Sequence, residues 1–266
     1  PMIAIDDPTD PRVAVFRRNE RGLASRPQRR DDAGAGLFIA EGDLVVERAL
    51  AAGCTPTAAL VDGHHVPPIA TVLAARGVAV FAAGSAVRTA VTGLAMPQPI
   101  VALFERPARP TVDQLAARFD RIVIVEAVDN PVNVGGIVRN AAGLGWGAMI
   151  LDQTSADPLS RRALRVSMGY GTTMPHARTA DLPGAVRRLV EAGVHVVALT
   201  PAEPSVDIRD VAPSERLALI VGAERTGIST ELLQLASVRV RIPMHGGVDS
   251  LNAAAASAVA CWALRP

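Results

Sequence analysis

The alternation of apolar and polar positions has two textures. In the first hundred residues, short apolar runs are mixed with amphipathic stretches. These predict a helix over 41–52 stopped by Gly53, a strand over 57–61, a helix over 69–76 stopped by Gly77, and strands over 78–82 and 100–104. Glycine marks the stops because a helix commonly ends on a residue in the left-handed conformation. The pattern is that of a small α/β sandwich. It breaks at Glu105-Arg106-Pro107-Ala108-Arg109-Pro110-Thr111, where each proline removes a donor and restricts the residue before it. The domain boundary is placed there, giving 1–108 and 109–266.

Beyond it the strands become wholly apolar. Runs at 122–125, 149–151, 194–199, 217–221 and 238–242 are separated by helix-like stretches at 137–142, 182–192 and 228–236. Uninterrupted apolar strands alternating with helices predict a mostly parallel sheet covered on both faces. Ligands of such sheets bind at the carboxyl ends of the strands. The last stretch, 251–264, is apolar on every side and alanine-rich. It is predicted to be a buried helix, being well short of the roughly 20 residues a membrane span needs.

Composition narrows the function classes. A length of 266 residues with 49% hydrophobic content fills two ordinary cores, and a net charge of +1 supplies no strong long-range field. Contact with nucleic acid must therefore rest on local clusters. Arginine supplies all 27 basic residues, and seven of them fall between Arg12 and Arg30 against one acid, Glu20, with Asp31-Asp32 following. Such a stretch suits phosphates, and a solvated arm explains it equally well. Arg161, Arg162 and Arg165 have the same two readings. Aromatic content of 3% disfavours a base-stacking platform. Cys54 and Cys261 have no partner motif, and His64, His65, His176, His195 and His245 show no metal-ligand spacing. No metal site and no disulfide are expected, and a reducing, cytoplasmic setting fits. The acidic, proline-bearing start argues against a signal peptide.

Three loops combine glycine with polar groups just after strands of the second domain. They are Asp129-Asn130-Pro131-Val132-Asn133-Val134-Gly135-Gly136-Ile137-Val138-Arg139-Asn140, then Gly222-Ala223-Glu224-Arg225-Thr226-Gly227-Ile228-Ser229, then Ile242-Pro243-Met244 running on to Asp249-Ser250-Leu251-Asn252. Each has a plain structural reading. Ser250 is a good helix cap, Asn133 suits an Asx-turn, and Arg139 and Glu224 suit solvated positions. Their recurrence at neighbouring strand ends of one sheet favours a ligand site.

In order and spacing, Asn133-x-Gly135-x-x-x-Arg139, Gly222-x-Glu224-x-x-Gly227, and Ile242-Pro243-Met244 with Ser250-Leu251-Asn252 resemble the three motifs of the SpoU (TrmH) family of RNA ribose 2′-O-methyltransferases. Ser167-Met168-Gly169-Tyr170-Gly171 also resembles a family segment. The resemblance covers roughly 122–264. Gly36-Leu37-Phe38-Ile39-Ala40-Glu41-Gly42, more loosely, is similar to the RNA substrate-binding domain that precedes many members.

The resemblance implies an S-adenosylmethionine-dependent enzyme with a trefoil knot, working as a homodimer through the methyltransferase domain. It implies cofactor contacts at Thr200, Gly222, Ile242, Met244, Ser250 and Leu251, and substrate chemistry at Asn133, Arg139, Glu224 and Asn252. Arg139 is the implied catalytic residue. A guanidinium holds its proton so firmly that a positioning and charge-stabilising role suits it better than that of a base. Ala223 stands where many relatives have asparagine, which leaves a side-chain contact there in doubt. The implied substrate is 23S ribosomal RNA. The alternatives are transfer RNA and a catalytically silent RNA-binding protein of the same fold. A dinucleotide oxidoreductase, prompted by Gly143-Leu144-Gly145-Trp146-Gly147, is disfavoured because those glycines follow a predicted helix rather than a strand.

Overall fold

A computed structural model describes residues 2–30 and 35–266. Asp31 and Asp32, which the sequence sets against the arginine stretch, lie outside the described residues. The described residues form two compact units, one of 2–29, 35–108 and 159–173, the other of 30, 109–158 and 174–266. Residues 159–173, inside the second domain as read from sequence, therefore cluster with the first unit.

The first unit holds β1 (Ile3–Ile5), β2 (Leu37–Glu41), β3 (Pro56–Asp62), β4 (Ala79–Ala83) and β5 (Ile100–Glu105) in one sheet of order β1-β4-β3-β5-β2. The pair β3 and β4 is parallel, while β5 runs antiparallel to both β2 and β3. The predicted helix at 41–52 spans Asp43–Ala51, because Gly42 at φ 84° turns the chain out of β2 first. The strands β1 and β2 and the helix Ser85–Thr92 were not foreseen.

The second unit holds β6 (Arg121–Glu126), β7 (Ala148–Asp152), β8 (His176–Thr179), β9 (His195–Leu199), β10 (Val206–Asp207), β11 (Leu217–Gly222) and β12 (Val238–Arg241). Their order is β10-β12-β9-β11-β6-β7-β8, with every neighbouring pair parallel. Ile122, Ile124, Ile150, Val196, Ala198, Ala218 and Ile220 share one buried cluster with Val112, Leu182, Val186, Leu189 and Leu232 from flanking helices. Both faces of these strands lie in protein, which explains their unbroken apolar sequence. The edge strand β8 escaped the hydrophobic pattern because two of its four residues, His176 and Arg178, are buried polar groups.

Two helix expectations are corrected. The helix predicted at 137–142 starts six residues earlier and spans Pro131–Gly143. Asn130 caps it by accepting from the Val132 N–H at 2.9 Å, and Pro131 occupies the first turn, where its missing donor costs nothing. The final helix, Ala253–Ala263, is capped by Asn252 rather than Ser250, and it is not buried all round: Val259 and Trp262 are 39% and 58% exposed. Among the described residues, no helix is long and apolar enough to cross a membrane.

Candidate functional site

Strands β12, β9, β11 and β6 are consecutive across the parallel sheet, so their carboxyl ends share one edge. The three glycine-bearing segments and Thr200 all follow those ends. Parallel order thus gathers residues more than a hundred positions apart, as a sheet of this kind does at its ligand-binding edge.

Asn133, Glu224 and Asn252 meet there. Asn133 Nδ2 donates to Glu224 Oε1 at 3.0 Å, and Asn252 Nδ2 donates to Asn133 Oδ1 at 2.9 Å and also to Glu224 Oε1. The Ala253 N–H adds a third donor to the same oxygen at 3.2 Å. Asn252 meanwhile caps the last helix through Oδ1, which accepts from Ala254 and Ala255 at 3.0 and 3.2 Å. One carboxylate oxygen with three donors is a charge-assisted buckle, and it joins the segments that follow β6, β11 and β12.

Beside this buckle lies a cleft of about 340 Å³ lined by Leu199, Thr200, Gly222, Glu224, Ile242, Met244, Asp249, Ser250 and Leu251, among others. All six residues expected to hold the cofactor line it. Gly222 has no substitute: a Cβ there would sit 2.5 Å from the backbone of Gly227, which loops back across it. Asn133 and Asn252 form the wall next to the cleft rather than its lining. Arg139 is not brought to the buckle. It follows Asn133 by six residues, about 240° around the helix, where it is exposed and, among the described residues, has no hydrogen-bond or ion-pair partner.

Sequence reasoning missed the supports. The Ala127 N–H, at φ 55°, donates to Asp152 Oδ1 at 3.0 Å, and the Val128 N–H donates to Ser155 Oγ at 3.1 Å. Burial by itself would raise the Asp152 carboxyl, but donors from Ser155, Thr154 and Ala127 hold it below the ordinary carboxylate range. Buried Arg178 then donates to the carbonyls of Asp152, Ser155 and Ala156 at 2.7 to 2.9 Å. Burial lowers that guanidinium to about 10, opposed by the charge of Asp157, and at neutral pH it stays protonated. Glu126 accepts the Ser229 N–H at 2.8 Å and ties the end of β6 to the next helix of the cleft.

The two helices of the site are registered against each other. Asn140 Nδ2 donates to the Ala254 carbonyl at 2.7 Å and to Ser257 Oγ at 3.2 Å, and Trp146 Nε1 donates to the Cys261 carbonyl at 3.0 Å. Only Asn140 and Trp146 stood in quoted motifs, and neither was singled out. Arg178 had no sequence signal at all. Among the described residues, no group of three or more His, Cys, Asp or Glu side chains is placed to hold a metal ion.

A parallel α/β domain with a glycine-lined cleft at its strand ends, closed by an amide-carboxylate buckle, is a small-ligand-binding fold with polar chemistry at its rim. The chain belongs to the SpoU rRNA Methylase family, whose pattern matches residues 120–262. It is 39% identical over 260 residues to an uncharacterized tRNA/rRNA methyltransferase of Mycobacterium tuberculosis, covering 96% of this chain and 89% of that one. It is 29% identical to the 23S rRNA (guanosine(2553)-2′-O)-methyltransferase RlmP of Bacillus subtilis, covering 86% of this chain and 88% of the relative. The AdoMet-bound rRNA methyltransferase from Sinorhizobium meliloti superposes with a TM-score of 0.82 at 29% identity, over 99% of this chain and 97% of that one.

Proposed function

We propose that this chain transfers a methyl group from S-adenosylmethionine to a ribose 2′-hydroxyl of RNA, and that the RNA is 23S ribosomal RNA. The observation that carries the reading is the cleft whose lining includes all six residues expected to hold the cofactor, next to the Asn133–Glu224–Asn252 buckle. Its volume lies within the roughly 300–1,000 Å³ of small-molecule sites. Leu199, Ile242 and Leu251 offer apolar walls for a nucleoside, while Glu224 and Asp249 offer negative charge for a sulfonium and an ammonium.

When bound, the cofactor supplies an electrophilic methyl on a positively charged sulfur. The chain's own task is to align the acceptor oxygen with that methyl and to favour loss of the hydroxyl proton. Gly222, Ile242, Met244, Ser250 and Leu251 hold the cofactor, largely through backbone groups, and Thr200 closes its side of the cleft. Asn133, Glu224 and Asn252 keep the three segments in register beside the reacting atoms. Arg139 is the free cation of the motif helix; it grips a phosphate beside the acceptor ribose and stabilises the alkoxide charge as it develops.

By sequence, residues 109–266 make the methyltransferase domain and 1–108 the RNA substrate-binding domain, with the excursion 159–173 packed into the compact unit of the latter. Strand β12 lies between β9 and β10, which are consecutive in the chain, and the last helix returns to pack on the helix Pro131–Gly143. This path supports a trefoil knot. A homodimer through the methyltransferase domain covers the exposed apolar stripe of Val259 and Trp262. Two buried free cysteines suit a cytoplasmic setting.

The test is transfer of labelled methyl from S-adenosylmethionine to unmodified 23S rRNA and transfer RNA, with the product mapped. Label on one ribose of 23S rRNA is expected; label confined to transfer RNA would replace the substrate, and none in either RNA would remove the activity. Arg139→Ala is expected to lose at least about 10²-fold in turnover, the scale of a transition-state charge contact, while cofactor affinity stays near that of the parent.

A further inference from the structure

The excursion 159–173 is built into the first unit. Leu159 and Leu164 share a core with Phe38, Val45, Leu73 and Phe104. The short helix Arg161–Val166 is capped by Ser160, and its first N–H, from Arg161, donates to Glu20 Oε1 at 2.6 Å. The Arg161 side chain pairs with Glu41, whose side chain is only 6% exposed. Further along, Arg48 donates to the Met168 carbonyl and lies over the Tyr170 ring at 4.1 Å.

These contacts turn the nearby acids Glu20 and Glu41 inward. Five arginines on these two segments face outward. Arg162 and Arg165, three apart on the helix, are exposed, as are Arg18, Arg21 and Arg26 on the stretch that includes Glu20. Among the described residues, none of these five pairs with an acid. Some exposed arginines elsewhere pair with acids, Arg187 with Glu231, Arg188 with Asp113 and Arg209 with Asp207, and others such as Arg139, among the described residues, do not; what distinguishes these five is that they lie on two segments joined by the Glu20–Arg161 contact.

We propose that Arg18, Arg21, Arg26, Arg162 and Arg165 form one docking face for the phosphate backbone of RNA, assembled from the amino-terminal stretch and the 159–173 excursion. The inference rests on the methyl-transfer reading and says where the RNA is gripped. Planar guanidinium forks without acidic partners match phosphate oxygens. Guanidinium contacts to phosphate position an RNA without reading its bases, so the face tracks backbone rather than sequence. A protein partner would instead call for aromatic anchors and a centre depleted of charge.

The test compares three full-length proteins binding in-vitro-transcribed 23S rRNA between about 50 and 200 mM salt. They are the parent, a site variant carrying Arg18→Gln, Arg21→Gln and Arg162→Gln, and a control carrying Arg187→Gln, Arg188→Gln and Arg209→Gln, which loses the same number of charges from paired positions. The site variant is expected to bind at least about tenfold more weakly, with a log–log salt slope shallower by roughly 2–3, since each lost phosphate contact removes about 0.7–0.9. Its cofactor affinity and melting temperature should match the parent's, and the control should bind like the parent. If the parent methylates the RNA while the site variant keeps its affinity and slope, or the control loses as much, the docking face is wrong and the enzymatic reading stands. If the parent neither binds nor methylates the RNA, both fall.

Discussion

Glu224 shows how much one atom does in this site. It is exposed, as expected of a loop residue, and at the same time its Oε1 receives Asn133, Asn252 and the Ala253 N–H together. A neutral amide accepts such bonds about half as strongly as a carboxylate, and Gln in its other orientation would face Asn252 donor to donor. Glu224→Gln should therefore leave the fold intact and weaken S-adenosylmethionine binding about tenfold, on the order of one charge-assisted hydrogen bond, because Ser250 and Leu251 immediately precede the residue it holds. Calorimetric titration checks this, and parental affinity would show that the buckle does not support the cleft. The sequence made Asn133, Glu224 and Asn252 legible as polar residues in glycine-rich surroundings. It did not pair them, since two lie more than ninety positions from the first.

At the scale of elements, helices such as Asp43–Ala51, Pro68–Ala75 and Leu182–Glu191 were legible, Ser85–Thr92 and Val112–Arg118 were not, and the start of Pro131–Gly143 was missed. Asn130 and Pro131 were in plain view, but glycines at 135 and 136 lower helix propensity and made the first turn read as loop. The structure explains Gly136 by proximity: a Cβ there would lie 2.7 Å from the Ala254 Cβ on the last helix. Gly136→Ala sets two magnitudes against each other. Propensity alone would stabilise by up to about 1 kcal/mol, while overpacking a helix contact costs about 1–3 kcal/mol. Net destabilisation in urea unfolding is expected, together with weaker cofactor binding as the Asn252 end of the helix is displaced. A more stable protein with unchanged binding would mean the two helices are free to separate. The exposed Val259 and Trp262 mark the limit of periodicity, which reports an apolar face without saying what covers it.

At the scale of the whole molecule, burial of polar groups leaves a pH signature. His176 lies in β8 with its Nδ1–H donating to the Met174 carbonyl at 3.3 Å. Burial, with the cation of Arg109 adding to it, lowers its pKa to about 4, so the ring is neutral in the fold. Below an ordinary value of about 6.5 the unfolded chain takes up a proton that the folded chain refuses. The contribution is therefore fully present above about 6.5, declines as pH falls, and is gone below about 4, amounting to about 3 kcal/mol. Urea unfolding at neutral pH and near pH 4.5 should show the parent losing more stability than His176→Gln; equal losses would place the titration elsewhere. The excursion 159–173 belongs to this scale too. Its leucines looked like part of the second domain because they adjoin it in sequence, whereas their packing partners are Phe38 and Phe104.

By itself the sequence determined the class of fold, through unbroken apolar strands alternating with helices, and it determined which loops carry polar chemistry, through glycines beside Asn133, Glu224 and Ser250. Both are local properties, written in neighbouring residues. Only the tertiary structure decided that Asn133, Glu224 and Asn252 share one carboxylate oxygen, that Arg139 stands apart from them, and that Arg178 and Asp152 brace the first loop. Those facts depend on strand order, because β12, β9, β11 and β6 are neighbours in the sheet and not in the chain. Residues brought together by long-range pairing leave no trace in local periodicity.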